Sequence, residues 1–188
     1  MLGAVPIDIA VSDTYFIVAH IHYVLLGGSL FTIFAGIYYW FPKMTGRMYD
    51  ERLAKIHFWL TFLAVNATFF PMHLIGIQGM PRRVATYEDQ FASWNLFISI
   101  SSFVLGASFM IFVYNIIVSW KSGPIAPGNP WGGRTIEWLV SSPPPVFNFD
   151  EVPQVVGNPY EYGVKDARHA ILNGDRVGAA ELEPARTT

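Results

Sequence analysis

The 188-residue sequence contains no cysteine. That excludes disulfides, thiolate nucleophiles and Cys-ligated zinc, so any metal chemistry must use His, carboxylate or Met. Charge is scarce as well: 14% of residues are Asp, Glu, Lys or Arg, against 52% hydrophobic and 16% aromatic. So apolar a balance is foreign to an ordinary soluble domain of this length and points to membrane spans. A formal net charge of −2 offers no basic surface for a nucleic acid, and that class is set aside. No internal repeat, phosphate-binding glycine loop or Ser–His–Asp constellation is present.

The missing charge is concentrated. Residues 14–42, 56–81 and 91–120 contain no Asp, Glu, Lys or Arg. At about 1.5 Å per residue, each run exceeds the roughly 20 residues that cross a bilayer. Tyr15, Tyr38, Tyr39, Trp40, Trp59, Trp94 and Trp120 lie toward their ends, as in aromatic belts. Gly27–Gly28, Pro71 and Gly106 would weaken a soluble helix but are common in packed spanning helices. The expected fold is therefore an all-α membrane protein with three transmembrane helices, at about 14–41, 56–79 and 92–120. Lys43, Arg47, Arg52 and Lys55 load the first loop with positive charge, whereas residues 1–13 have none. The positive-inside rule puts that loop and the tail in the cytoplasm, and residues 1–13 with Arg82 and Arg83 on the outer face. Three spans with an outer, signal-less start are expected to be the end of a longer membrane protein. The tail, 121–188, opens with "SGPIAPGNPWGG" and "SSPPPVFNFDEVP", Pro- and Gly-rich stretches expected to run extended. For 164–185 a short helix and a disordered segment both fit.

The segment "SDTYFIVAHIHYVLLGG" (12–28) places His20 and His22 two residues apart in an uncharged run. Two positions on an α-helix differ by about 200°, so the imidazoles project from nearly opposite sides and are poorly placed to chelate one ion. They suit two different centres instead, and imidazole is a standard axial ligand of haem iron. The plainer reading is that each bonds to a neighbouring helix. His57 and His73 are 16 residues apart, at different depths, and are not read as ligands: His57 suits an interfacial role, and His73 suits bonding to carbonyls freed by Pro71. Ser12 and Asp13 suit a helix N-cap, and Asp13 also suits a hard cation such as Mg²⁺. Arg82 and Arg83 are either headgroup anchors or bidentate clamps for carboxylates, including haem propionates.

"DTYFIVAHIHYVL" (13–25), "FPKMTG" (41–46), "KIHFWLTF" (55–62), "GMPRR" (79–83) and "EWLVSSPPPVFNF" (137–149) together resemble the carboxyl-terminal part of subunit I of the haem–copper terminal oxidases. The resemblance runs in one order from about residue 4 to 160. It implies the last three helices of a twelve-helix subunit that reduces O₂ to water with electrons from cytochrome c, coupled to proton translocation in a bacterial plasma membrane. It implies two haems: His20 would be the axial ligand of the high-spin, oxygen-reactive one, and His22 an axial ligand of the low-spin one. Arg82 and Arg83 would hold haem propionates, and Asp13 would join a Mg²⁺ or Mn²⁺ site at the contact with subunit II. Copper would be held by residues absent from this chain. The implied partners are the missing N-terminal helices of subunit I, subunits II and III, cytochrome c and membrane lipid. The sequence departs from the family pattern at Ser12, where a histidine metal ligand is usual, and at Ile21, where phenylalanine is. Quinol oxidase subunit I and a non-catalytic membrane fragment without haem are the alternatives.

Overall fold

The computed structural model describes residues 2–149, 152–155, 160 and 171–172. It is dominated by helix, and three helical stretches are long and apolar enough to cross a membrane: Tyr15–Thr45, Glu51–Ile77 and Asp89–Ser122. Before them comes α1, Val5–Val11, with Pro6 in its first turn, where the missing N–H costs nothing.

The first span is composite. It begins as α2, Tyr15–His22, continues as an eight-residue π-helix, Tyr23–Leu30, and resumes as α3, Phe31–Thr45. The wider π turn shows in the bond from the Phe31 N–H to the Leu26 carbonyl, five residues back. The sequence predicts one uniform helix here. Hydropathy does not encode the hydrogen-bond register, so the π segment is invisible to it. The second span is α4, Glu51–Ile77, capped by Asp50, whose carboxylate accepts from the Leu53 N–H at 2.9 Å. The third is α5, Ala92–Ser122, entered through a 3₁₀ turn at Asp89–Phe91. Beyond α5, a 3₁₀ turn at Ile136–Trp138 precedes a small antiparallel pair, β1 (Gln154–Val155) with β2 (Ile171–Leu172). Apart from those last two residues, the 164–185 segment lies outside the described residues.

The chain divides into two units. One comprises Met1–Gly36 with Asp50–Ile116. Its core is built from Ala19 of α2, Ala64, Val65, Phe69, Met72 and Ile75 of α4, and Ile98 and Leu105 of α5. α4 and α5 are also joined by polar bonds. Thr61 donates to Ser108 at 2.8 Å, and the buried Asn115 amide bonds both backbone groups of Asp50, at 2.9 and 3.1 Å. Such bonds matter between apolar helices, where lipid competes with side chains for dispersion contact.

The other unit comprises Ile37–Tyr49 with the described residues from Ile117 onward. Its centre is Lys43, which is buried. The ammonium donates to the carbonyls of Gly128 (2.8 Å), Val140 (2.7 Å) and Ser141 (3.3 Å) and lies 5.1 Å from the Trp138 ring centroid. Tyr39 faces Trp138 edge-on and accepts from its indole N–H at 2.9 Å.

Candidate functional site at the junction of the first two spans

The first unit holds all the singled-out site residues. Two backbone bonds tie the entry of α2 to the exit of α4. The Tyr15 N–H donates to the Met80 carbonyl at 3.0 Å and the Arg82 N–H to the Asp13 carbonyl at 2.9 Å, with Thr14 and Pro81 forming an antiparallel bridge between them. Deeper in, the two helices approach so closely that a Cβ on Gly76 would fall 2.7 Å from the Phe16 Cα. Only glycine permits that crossing.

Thr14 caps α2. Its hydroxyl accepts from the Phe16 N–H at 3.2 Å and donates to the Val11 carbonyl at 2.7 Å. The sequence predicts Ser12 or Asp13 for this role, and the structure corrects it. Asp13 sits outside the helix at φ 61°, a left-handed conformation that Asp tolerates better than most residues. That turn directs its carboxylate to Arg82: Nε and Nη2 both donate to Oδ1, at 3.0 and 2.7 Å. Arg83, also left-handed at φ 63°, is exposed and makes no ion pair among the described residues. The adjacent arginines are therefore unequal: one is held and the other is open.

His20 and His22 both lie in the α-helical part of the span, before the π segment. His22 Nδ1 is 2.7 Å from the Val18 carbonyl, and its ring stacks on Phe69 with centroids 4.3 Å apart and planes 12° apart. A carbonyl can only accept, so Nδ1 donates in this contact, and in the neutral imidazole the lone pair then lies on Nε2. This is the tautomer that ligates a metal through Nε2, with the second nitrogen bonded to a carbonyl. His20 is half-buried, one position after fully buried Ala19. Among the described residues no group of three or more His, Asp or Glu side chains could hold a metal ion. The imidazoles of His20 and His22 and the guanidiniums of Arg82 and Arg83 have the chemistry that haem iron and its propionates require. The donor set for Mg²⁺ does not fit as well: this chain offers one carboxylate, with an oxygen already engaged by a guanidinium, beside an exposed serine.

The other two histidines lie among aromatic rings. His57 is 2% exposed, edge-on to Phe34 at 4.8 Å and tilted against Phe112 at 5.1 Å. His73 packs edge-on against Phe16 at 5.0 Å and beside Tyr23 at 5.4 Å. Its Nδ1 is buried without a close hydrogen-bond partner among the described residues, and the backbone of Phe70, just before Pro71, acts on the ring. Tyr23 anchors the start of the π segment by donating to Asn66 at 2.8 Å. Thr14, Phe69 and Gly76 are site-building residues that sequence reasoning does not pick out. The one signal for them is a glycine near the end of a span, facing a run that starts at a threonine.

A family profile described as "Cytochrome C and Quinol oxidase polypeptide I" matches residues 1–121. Proteins named cytochrome c oxidase subunit 1 are similar to the chain. That of Thermostichus vulcanus is 56% identical over 164 residues, that of a Synechocystis species 49% over 164, and that of Corynebacterium diphtheriae 48% over 159. These alignments take in 87%, 87% and 82% of this chain. The chain spans about 30% of the length of these relatives: 30%, 30% and 28%. With three apolar helices, it is an integral membrane protein. It belongs to the family of cytochrome c and quinol oxidase polypeptide I.

Proposed function

We propose that the chain forms the last three membrane helices of a cytochrome c oxidase subunit I in a bacterial plasma membrane. The whole enzyme would reduce O₂ to water with electrons from cytochrome c and translocate protons. Copper and the remaining haem ligands would come from helices outside these 188 residues, and subunits II and III would complete the assembly. The observation that supports the reading is His22, whose Nδ1 bond to the Val18 carbonyl turns Nε2 away from that bond, where it would be available to a ligand. When bound, the haem irons supply the one-electron steps and the position at which O₂ is reduced.

The chain's own residues give those groups their places. His20 would ligate the high-spin haem and His22 the low-spin haem, one on each side of α2. Because both sit in one short helix, its backbone would hold the two irons at a constant separation. The Val18 carbonyl orients the His22 imidazole, and Phe69 fixes the plane of its ring. Arg82 and Arg83 would balance propionate charge at the outer end, Arg82 with its geometry set by Asp13 and Arg83 by moving to the carboxylate. Cytochrome c is favoured over quinol as the donor because the relatives cited bear that name.

The test is spectroscopic, in the complete oxidase. His20→Ala should abolish the CO-reactive haem and spare the other band in reduced-minus-oxidised spectra, and His22→Ala should do the opposite. Loss of the low-spin band alone in His20→Ala would overturn the side assignment.

A further inference from the structure

We propose that Asp13 is a positioning residue for Arg82: its carboxylate fixes the guanidinium that faces the haem propionates, and it does so in place of ligating a divalent cation. This rests on the haem reading above and deepens it. Two N–H groups of Arg82, Nε and Nη2, converge on the single oxygen Oδ1 of Asp13 at 3.0 and 2.7 Å. One edge of the guanidinium is thereby committed, and Nη1 remains for another anion. The pair stands on a backbone clamp, because the Arg82 N–H also donates to the Asp13 carbonyl and Thr14 bridges Pro81. The left-handed turn at Asp13 aims the carboxylate, so the contact does not depend on a chance rotamer of an exposed chain.

A dication has poor standing at the same place. Mg²⁺ demands near-octahedral oxygen coordination, and a guanidinium already shares the carboxylate it would need. The flanking residue is Ser12, a neutral hydroxyl with no anionic charge to offer. Arg83 shows what Arg82 would be without its partner: an exposed side chain with no ion pair among the described residues.

The experiment is a double-mutant cycle on haem midpoint potential, in the complete oxidase, with Asp13→Asn, Arg82→Gln and the double variant. Asn tolerates the left-handed turn, so the backbone clamp survives. Removing the carboxylate should raise the potential and removing the guanidinium should lower it. Two charges acting independently through space shift a potential by amounts that add. Positioning predicts that the Asp13→Asn shift is at least twofold smaller when Arg82→Gln is already present. It predicts further that Asp13→Glu, which keeps the charge but moves it, also shifts the potential. An equal Asp13→Asn shift in both backgrounds, or an unmoved potential in Asp13→Glu, overturns the proposal and leaves the haem reading standing. An Arg82→Gln variant with both haem potentials unmoved overturns the propionate role and this proposal with it. Growth on Mn²⁺ adds an independent readout: a stoichiometric Mn²⁺ EPR signal that Asp13→Asn abolishes would make Asp13 a metal ligand and overturn the proposal.

Discussion

The backbone of Phe16 occupies the space that any side chain at Gly76 would need, with the Phe16 Cα 2.7 Å from where a Cβ would stand. This contact sets the spacing of α2 and α4 one turn before the histidines, so it governs where His20 and His22 can point.

Gly76→Ala should therefore force the helices apart. Overpacking of this kind costs typically about 1–3 kcal/mol, and the obstacle here is backbone, which cannot rotate away. The complete oxidase carrying Gly76→Ala should show a lower unfolding temperature and reduced haem occupancy. Normal haem content and an unchanged unfolding temperature would mean that the helices do not approach this closely.

Thr14→Ala should remove the cap of α2 at a cost of about 1 kcal/mol, and Thr14→Ser should restore most of it. The hydroxyl's second bond, to the Val11 carbonyl, makes the loss larger than for a one-bond cap. Thermal unfolding of the two variants side by side checks this; equal stability would sink it.

Lys43→Met keeps the apolar stem but leaves the carbonyls of Gly128, Val140 and Ser141 without their shared donor. Hydrogen bonds to a charged group are worth roughly 1.5–3 kcal/mol each, so even one such loss should loosen the segment after α5 by tenfold or more. Limited proteolysis within residues 124–149 should accelerate accordingly. Lys43→Arg should not rescue it, since a planar fork cannot point three N–H groups at a converging set of carbonyls.

Thr61→Val and Ser108→Ala should each destabilise the α4–α5 contact slightly, with a coupling energy of about 0.6 kcal/mol, the typical value for bonds between membrane helices. A double-mutant cycle in detergent unfolding measures it. The small figure follows from Ser108 keeping its own bond to the Leu105 carbonyl when Thr61 is lost.

The spans were legible because a bilayer imposes a length and forbids charge, and both can be counted along a chain. Family resemblance draws attention to the histidine pair, whose separation on α2 places the two rings on different sides of the helix. What escaped depends on partners distant in sequence. Thr14 caps α2 because Asp13 is turned left-handed toward Arg82, 69 positions away, and no local pattern announces that. The π segment escaped because apolar residues look alike in either register. Lys43 was counted with Arg47, Arg52 and Lys55 as cytoplasmic charge, yet it is 7% exposed and structural. A charge tally treats a buried organiser and a solvated anchor alike.

The Thr14–Pro81 bridge also has a practical consequence for engineering. It ends at Pro81, and beyond Arg82 and Arg83 the residues Val84–Gln90 are all exposed. A short epitope inserted after Thr86 would hang from a tethered point and leave the bridge undisturbed. The same insertion after Gly79 would break it. The loop at 84–90 is thus a handle by which antibodies on intact cells could read which way the protein faces.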